Sequence, residues 1–249
     1  MNSKFQKSLL AIATIGMLSS CGSIKTKEKN LSEIQTIKKI AIVAFDQDQP
    51  APREIGLDLG SGKLAGSEGG SMITQHTENA KRAYQTLAAQ LNRAGFAVMS
   101  LEEMLKNKGY QEAYKSTMEG WQNKMPPGAG MNRVAVEKVM DYDGPRILRQ
   151  EGRDQLAKQL GVDAIVSAKI YVNLESTTVM GIGNRFQKST VRIEMFKPNI
   201  ENAVWFENFM GPTSTESVGK TSFFDEAKMS QLSLESASDA ISRISKTAE

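Results

Sequence analysis

The chain is poor in the residues that covalent chemistry and metal binding use. It has one cysteine, Cys21, and one histidine, His76, in 249 residues. A single thiol allows no internal disulfide and no thiolate metal cluster, so the fold must be held by its core. Aromatic residues make up only 6% of the chain. Neither sign of charge dominates, at 31 basic against 28 acidic residues. That balance gives no reason to expect nucleic acid, which needs a clustered basic face. The apolar stretch Ser8–Leu18 falls short of the roughly 20 residues a spanning helix needs.

What is present begins at the amino terminus. Met1–Lys7 carries two lysines and no acid, Ser8–Leu18 is apolar or small, and Leu18-Ser19-Ser20 leads into Cys21. This is the layout of a secretory signal peptide. The ending Leu-Ser-Ser-Cys resembles the bacterial lipobox. That resemblance implies cleavage before Cys21, acylation of its thiol and new amine (palmitate among the acyl groups), and a membrane anchor made of several chains. Gly22 rather than Asp follows the cysteine, which in enteric-type sorting favours the outer membrane, facing the periplasm. Removing Met1–Ser20 takes away Lys4 and Lys7 and leaves 29 basic against 28 acidic residues.

The expected organisation is a signal peptide over 1–20, a lipidated cysteine and flexible polar tether over 21–37, and a single α/β domain over 38–249. A domain of this length can bury a real core. "KKIAIVAFDQD" holds an apolar run, Ile40–Phe45, that suits a buried strand. A glycine-rich insertion follows near 50–75. It fails as a phosphate loop, because Ser61 stands where the second glycine belongs and Leu64 follows Lys63. It fails as a dinucleotide fingerprint as well, because Ala65 stands three residues after Gly62.

Ala80, Ala83, Tyr84, Leu87, Ala88 and Leu91 form one stripe of a helix over Thr77–Asn92, with Gly95 just past its end. "FAVMS" reads as a short strand, and Ser100 with Glu103 as a capping box. A helix ending at Leu160, a stop at Gly161 and a strand over Val162–Val172 follow, with Lys169 the one strong charge in that strand. "STVRIEMF" alternates, with Val191, Ile193 and Met195 on one face and Arg192 and Glu194 on the other; "VWFENFM" is its hairpin partner. Ala237, Ala240, Ile241 and Ile244 mark a closing helix.

This order of elements resembles the α/β domain shared by the TolB amino-terminal domain, the curli-secretion lipoprotein and penicillin-binding-protein activator lipoproteins. The resemblance covers roughly Lys38–Lys246. It implies a mixed β-sheet with helices packed on it, used to bind envelope partners rather than for catalysis. "MGIGN" is similar to the curli pore protein in particular. Asn173–Ser189 is nevertheless short for two tilted membrane strands of about 9–11 residues each.

Candidate chemical groups are few. His76 has no signalled partner and reads as a surface or capping residue. Asp141–Gly144, "DYDG", reads as a turn, since it lacks the calcium-loop pattern. Glu102 and Glu103 belong to a helix start, and Trp205 to the core. Trp121, in a polar stretch, is the candidate partner contact, along with loops at Gly56–Gly70 and Tyr110–Gly144. No catalytic residue, metal or cofactor is expected. Two functions remain: a lipid-anchored, non-catalytic binding module for another envelope protein, or a subunit of an oligomeric outer-membrane secretion or pore assembly.

Overall fold

The computed structural model describes residues 27–48, 69–122, 133–179, 182–220, 223–224 and 226–246. Cys21 and most of the glycine-rich insertion lie outside them. The described residues form one mixed sheet with helices on both faces. Its strands are β1 (Lys27–Lys29), β2 (Lys39–Asp48), β3 (Ala97–Val98), β4 (Arg133–Ala135), β5 (Ala164–Val179), β6 (Ile182–Phe196), β7 (Trp205–Met210), β8 (Ser217–Lys220) and β9 (Phe223–Phe224). The main path runs β1-β7-β6-β5-β2-β3. β5 is parallel to β2 and antiparallel to β6, and β2 is parallel to β3.

Two helices cover one face. α2 (Gly69–Arg93) presents the expected stripe, with Ala80, Ala83, Leu87 and Leu91 fully buried. Its Tyr84 hydroxyl donates to the Ile42 carbonyl at 3.1 Å, and the ring meets Phe45 edge-on at 5.7 Å. The closing helix α7 (Glu226–Ser242) buries Ala237, Ala240 and Ile241 beside it, with Ile244 just beyond its end. Val191, Ile193 and Met195 of β6 are buried on the core face, as their alternation predicts.

The opposite face carries α4 (Lys108–Gln122), α5 (Gly144–Ile147) and α6 (Arg149–Leu160). Gly161 closes α6 at φ 64°, a left-handed position where a glycine costs least. Ahead of this layer, α3 (Leu101–Lys106) starts on Ser100, whose hydroxyl accepts from the Glu103 amide.

Three expectations change. The tether ends sooner than residue 37: β1 pairs with β7, and α1 (Leu31–Thr36) buries Ile34, with Ile37 buried just after it. One apolar residue per turn in a lysine-rich segment hides the periodicity, but it is enough to seat a short helix on an existing core. The Tyr110–Gly144 stretch is not one open loop either, since α4 covers its first part. Tyr110 is buried there and hydrogen-bonds the Val43 carbonyl at 3.0 Å. Lastly, the hairpin is longer than its apolar run, with β5 extending to Val179.

Candidate functional site

The alternation of β2, β5, β6 and β7 puts one polar residue from each strand in a single row. Register pairs Asp46 with Lys169, Lys169 with Arg192, and Arg192 with Asn208. Directly opposed residues share a face, so the row crosses the sheet on the side of α5 and α6. Asp46 is fully buried and Lys169 nearly so, with the Lys169 ammonium 3.6 Å from Asp46 Oδ1. Asp46 Oδ2 accepts from the Tyr142 amide at 3.0 Å.

Two residues along, on the same face, Ser167 pairs with Glu194 and Glu194 with Phe206. Glu194, only 1% exposed, accepts from the Tyr142 hydroxyl and from two nitrogens of Arg146, Nε at 2.9 Å. Burial, then the Glu194 hydrogen bond, raises the Tyr142 hydroxyl above the ordinary tyrosine range, so it stays a donor. Ser167 Oγ donates to the Tyr142 carbonyl at 2.5 Å. The "DYDG" turn therefore works through its tyrosine, which binds Asp46, Ser167 and Glu194 with three different atoms.

Arginines on this face rest on aromatic rings. Arg153 lies 4.6 Å from Phe196 and donates to the Glu201 carbonyl at 2.7 Å. Arg192 sits between Tyr171, at 5.0 Å, and Phe206, at 5.5 Å. Its Nε donates to Asn208 Oδ1 at 2.9 Å, and its two terminal nitrogens have no hydrogen-bond partner among the described residues. A cleft of about 380 Å³ adjoins this row, lined by Arg146, Arg153, Glu194, Phe196 and Phe206, with Glu28 from the edge strand. A guanidinium framed by two rings, with a free pair of donors, is suited to a carboxylate.

Of the residues singled out in the sequence, Cys21 lies outside the described residues, and so do the side chains of Trp121 and His76. Their backbones are helical, Trp121 in the last turn of α4 and His76 inside α2 rather than at its start. Trp205 is buried in the core as expected. Among the described residues no group of histidine, cysteine, aspartate or glutamate is placed to hold a metal ion, and no helix is long and apolar enough to cross a membrane. The alternation puts Arg192 and Glu194 on the face opposite Val191, Ile193 and Met195, but does not reveal that Glu194 is buried or that the two belong to one site with Asp46, Tyr142 and Lys169. The available signal was a charge of matching parity inside each of three apolar strands.

The chain matches no protein-family model and no curated protein. Among solved structures it is similar to a lipoprotein of Neisseria meningitidis: 13% identity, TM-score 0.36, 78% of this chain and 92% of the other. A PelC dodecamer from Paraburkholderia phytofirmans follows at 10% identity and TM-score 0.29, over 83% of this chain and 90% of the other. A hypothetical protein of Chlamydia trachomatis shows 11% identity and TM-score 0.30, over 70% and 72%. Similarities of this size carry no functional argument.

Proposed function

We propose that this is a lipid-anchored cell-envelope protein, acylated at Cys21, that acts as a non-catalytic binding module for another envelope protein. The observation that carries the reading is Arg192, held between Tyr171 and Phe206 with both terminal nitrogens unused among the described residues. Arginine and aromatic side chains are enriched at interface centres, and the free fork selects a partner carboxylate. A photoreactive residue at Phe206 tests this in cells. A discrete crosslinked partner that disappears with Arg192→Ala supports it; no crosslink, or one indifferent to Arg192, removes it. Labelling with a palmitate analogue, lost in Cys21→Ser, tests the anchor.

A second reading, a subunit of an oligomeric assembly, is favoured by one observation. β2 stops pairing at Asp48↔Tyr171, so from Val172 to Val179 the outer edge of β5 has no partner strand among the described residues. Such an edge accepts a strand from another copy. Insertion of the hairpin into lipid is not favoured. Its register puts Asn173↔Lys188 and Thr177↔Asn184 on one face and Ser176↔Arg185 on the other, so neither face is apolar. Light scattering on the mature chain with Cys21→Ser separates the two readings: a monomer removes the second, and a ring of defined size adopts it.

A further inference from the structure

The end of the molecule where β2 and β5 begin is basic. Arg93, at the end of α2, and Arg243, just past α7, are exposed and line one shallow groove of about 540 Å³. Gln90 fixes the groove, its amide donating to the Ser242 and Ile244 carbonyls at 3.2 and 3.0 Å. Lys246 continues it, donating to the Ile37 carbonyl at 2.9 Å and lying 4.5 Å from the Phe96 ring. Lys38 and Lys39 come next in the chain. None of these five cations has an ion-pair partner among the described residues. The nearby Asp163 carboxylate accepts from the Lys38 and Lys39 amides, both at 2.8 Å, and its charge offsets part of that of Lys38.

The position of the anchor makes this end significant. Lys27 is six residues along from Cys21, so a chain at full stretch reaches about 20 Å. Two residues along β1, Lys29 donates to the Ser245 carbonyl at 2.8 Å, next to Lys246, so the basic end is within that reach. The hairpin tip is not. Lys27 lies level with Glu207, Ile193 and Ala168, and eleven further residues of β5 carry Val179 roughly 36 Å beyond that level.

Resting on the lipid-anchor reading, we propose that this basic end is a docking surface for anionic phospholipid headgroups. It seats the domain on the bilayer with the hairpin turned away from it. Lysine and arginine beside an anionic surface are attracted within about a Debye length, some 8–10 Å, so a short anchor and a basic end reinforce one another.

The test is co-sedimentation of the mature chain carrying Cys21→Ser, which removes the acyl chains. The vesicles are pure phosphatidylcholine, or phosphatidylcholine with roughly one third phosphatidylglycerol. The expected result is binding to the anionic vesicles only, falling as salt rises. Binding should weaken at least tenfold in Arg93→Glu/Arg243→Glu at an unchanged melting temperature, and stay unchanged in Lys188→Gln on the hairpin. A fluorophore at Val179→Cys should remain in water when vesicles are added. Absence of binding, equal binding by the charge-reversed variant, or burial of the Val179 probe in lipid overturns the proposal. The palmitate labelling is a separate readout: acylation without vesicle binding removes this surface but keeps the anchor, and vesicle binding without acylation does the reverse.

Discussion

Asp46 and Lys169 face each other across two parallel strands, both withdrawn from water, with 3.6 Å between Oδ1 and Nζ. Two opposite charges so placed are costly to bring in from solvent and costlier to separate. Asp46→Ala should therefore lower stability by about 3–5 kcal/mol, because a buried ammonium loses its counter-charge. The pair Asp46→Leu/Lys169→Met should recover most of that loss. Urea denaturation of the wild type, both single variants and the double variant measures the coupling; additive losses would show that the pair does not act as a unit.

Arg192→Ala should shift the urea midpoint only modestly, since the half-buried side chain makes one hydrogen bond, to the neutral Asn208 amide, and rests on two rings. Partner binding should fall by about 2 kcal/mol or more, on the order of thirtyfold, as for an interface hot spot. Arg192→Lys should rescue little, because an ammonium lacks the planar fork. The measurement is crosslinking yield from Phe206 together with a denaturation curve for each variant.

Asp163 gives a prediction in pH. The Lys39 and Lys38 amides hold its carboxyl below the usual aspartate range. A depressed folded value means that stability is present above the ordinary carboxylate pKa, near 3.9, and is lost as pH falls through the folded value. Asp163→Asn should cost about 1 kcal/mol at pH 7, and the gap to wild type should close in acid. A gap that persists at pH 2 would assign the effect to something other than the charge.

Ile34 checks where the domain begins. It is fully buried in a six-residue helix, so Ile34→Ala should cost about 2–5 kcal/mol, the range for a large buried side chain cut to alanine. A loss below about 0.5 kcal/mol, the size of an ordinary surface change, would return residues 31–36 to the tether.

Much of the scaffold was legible because apolar spacing dominates it. Leu87 and Leu91 on α2, Gly161 closing α6, and Val191, Ile193 and Met195 on β6 all follow from periodicity and chain stereochemistry. The candidate site was less legible because it depends on register. Asp46, Lys169 and Arg192 are 123 and 23 residues apart in sequence, and only the pairing of β2 with β5 and β5 with β6 sets them side by side. The burial of Glu194 is not legible because nothing local reveals that Tyr142 and Arg146 come to cover it. α1 escaped notice because one or two buried residues in a short polar segment make no pattern.

Lys29 reaching Ser245, and Lys246 reaching Ile37, join positions 216 and 209 residues apart. The first described strand and the residue after the first described helix are thus closed by residues that follow α7. During synthesis or export, everything up to α7 can be present while this seam stays open, leaving the edge of the sheet beside Trp205 without its closing contacts. Closure of this edge therefore waits on residues made after α7. A chain truncated even a few residues before Lys246 would keep most of its core and lose the closure beside β1.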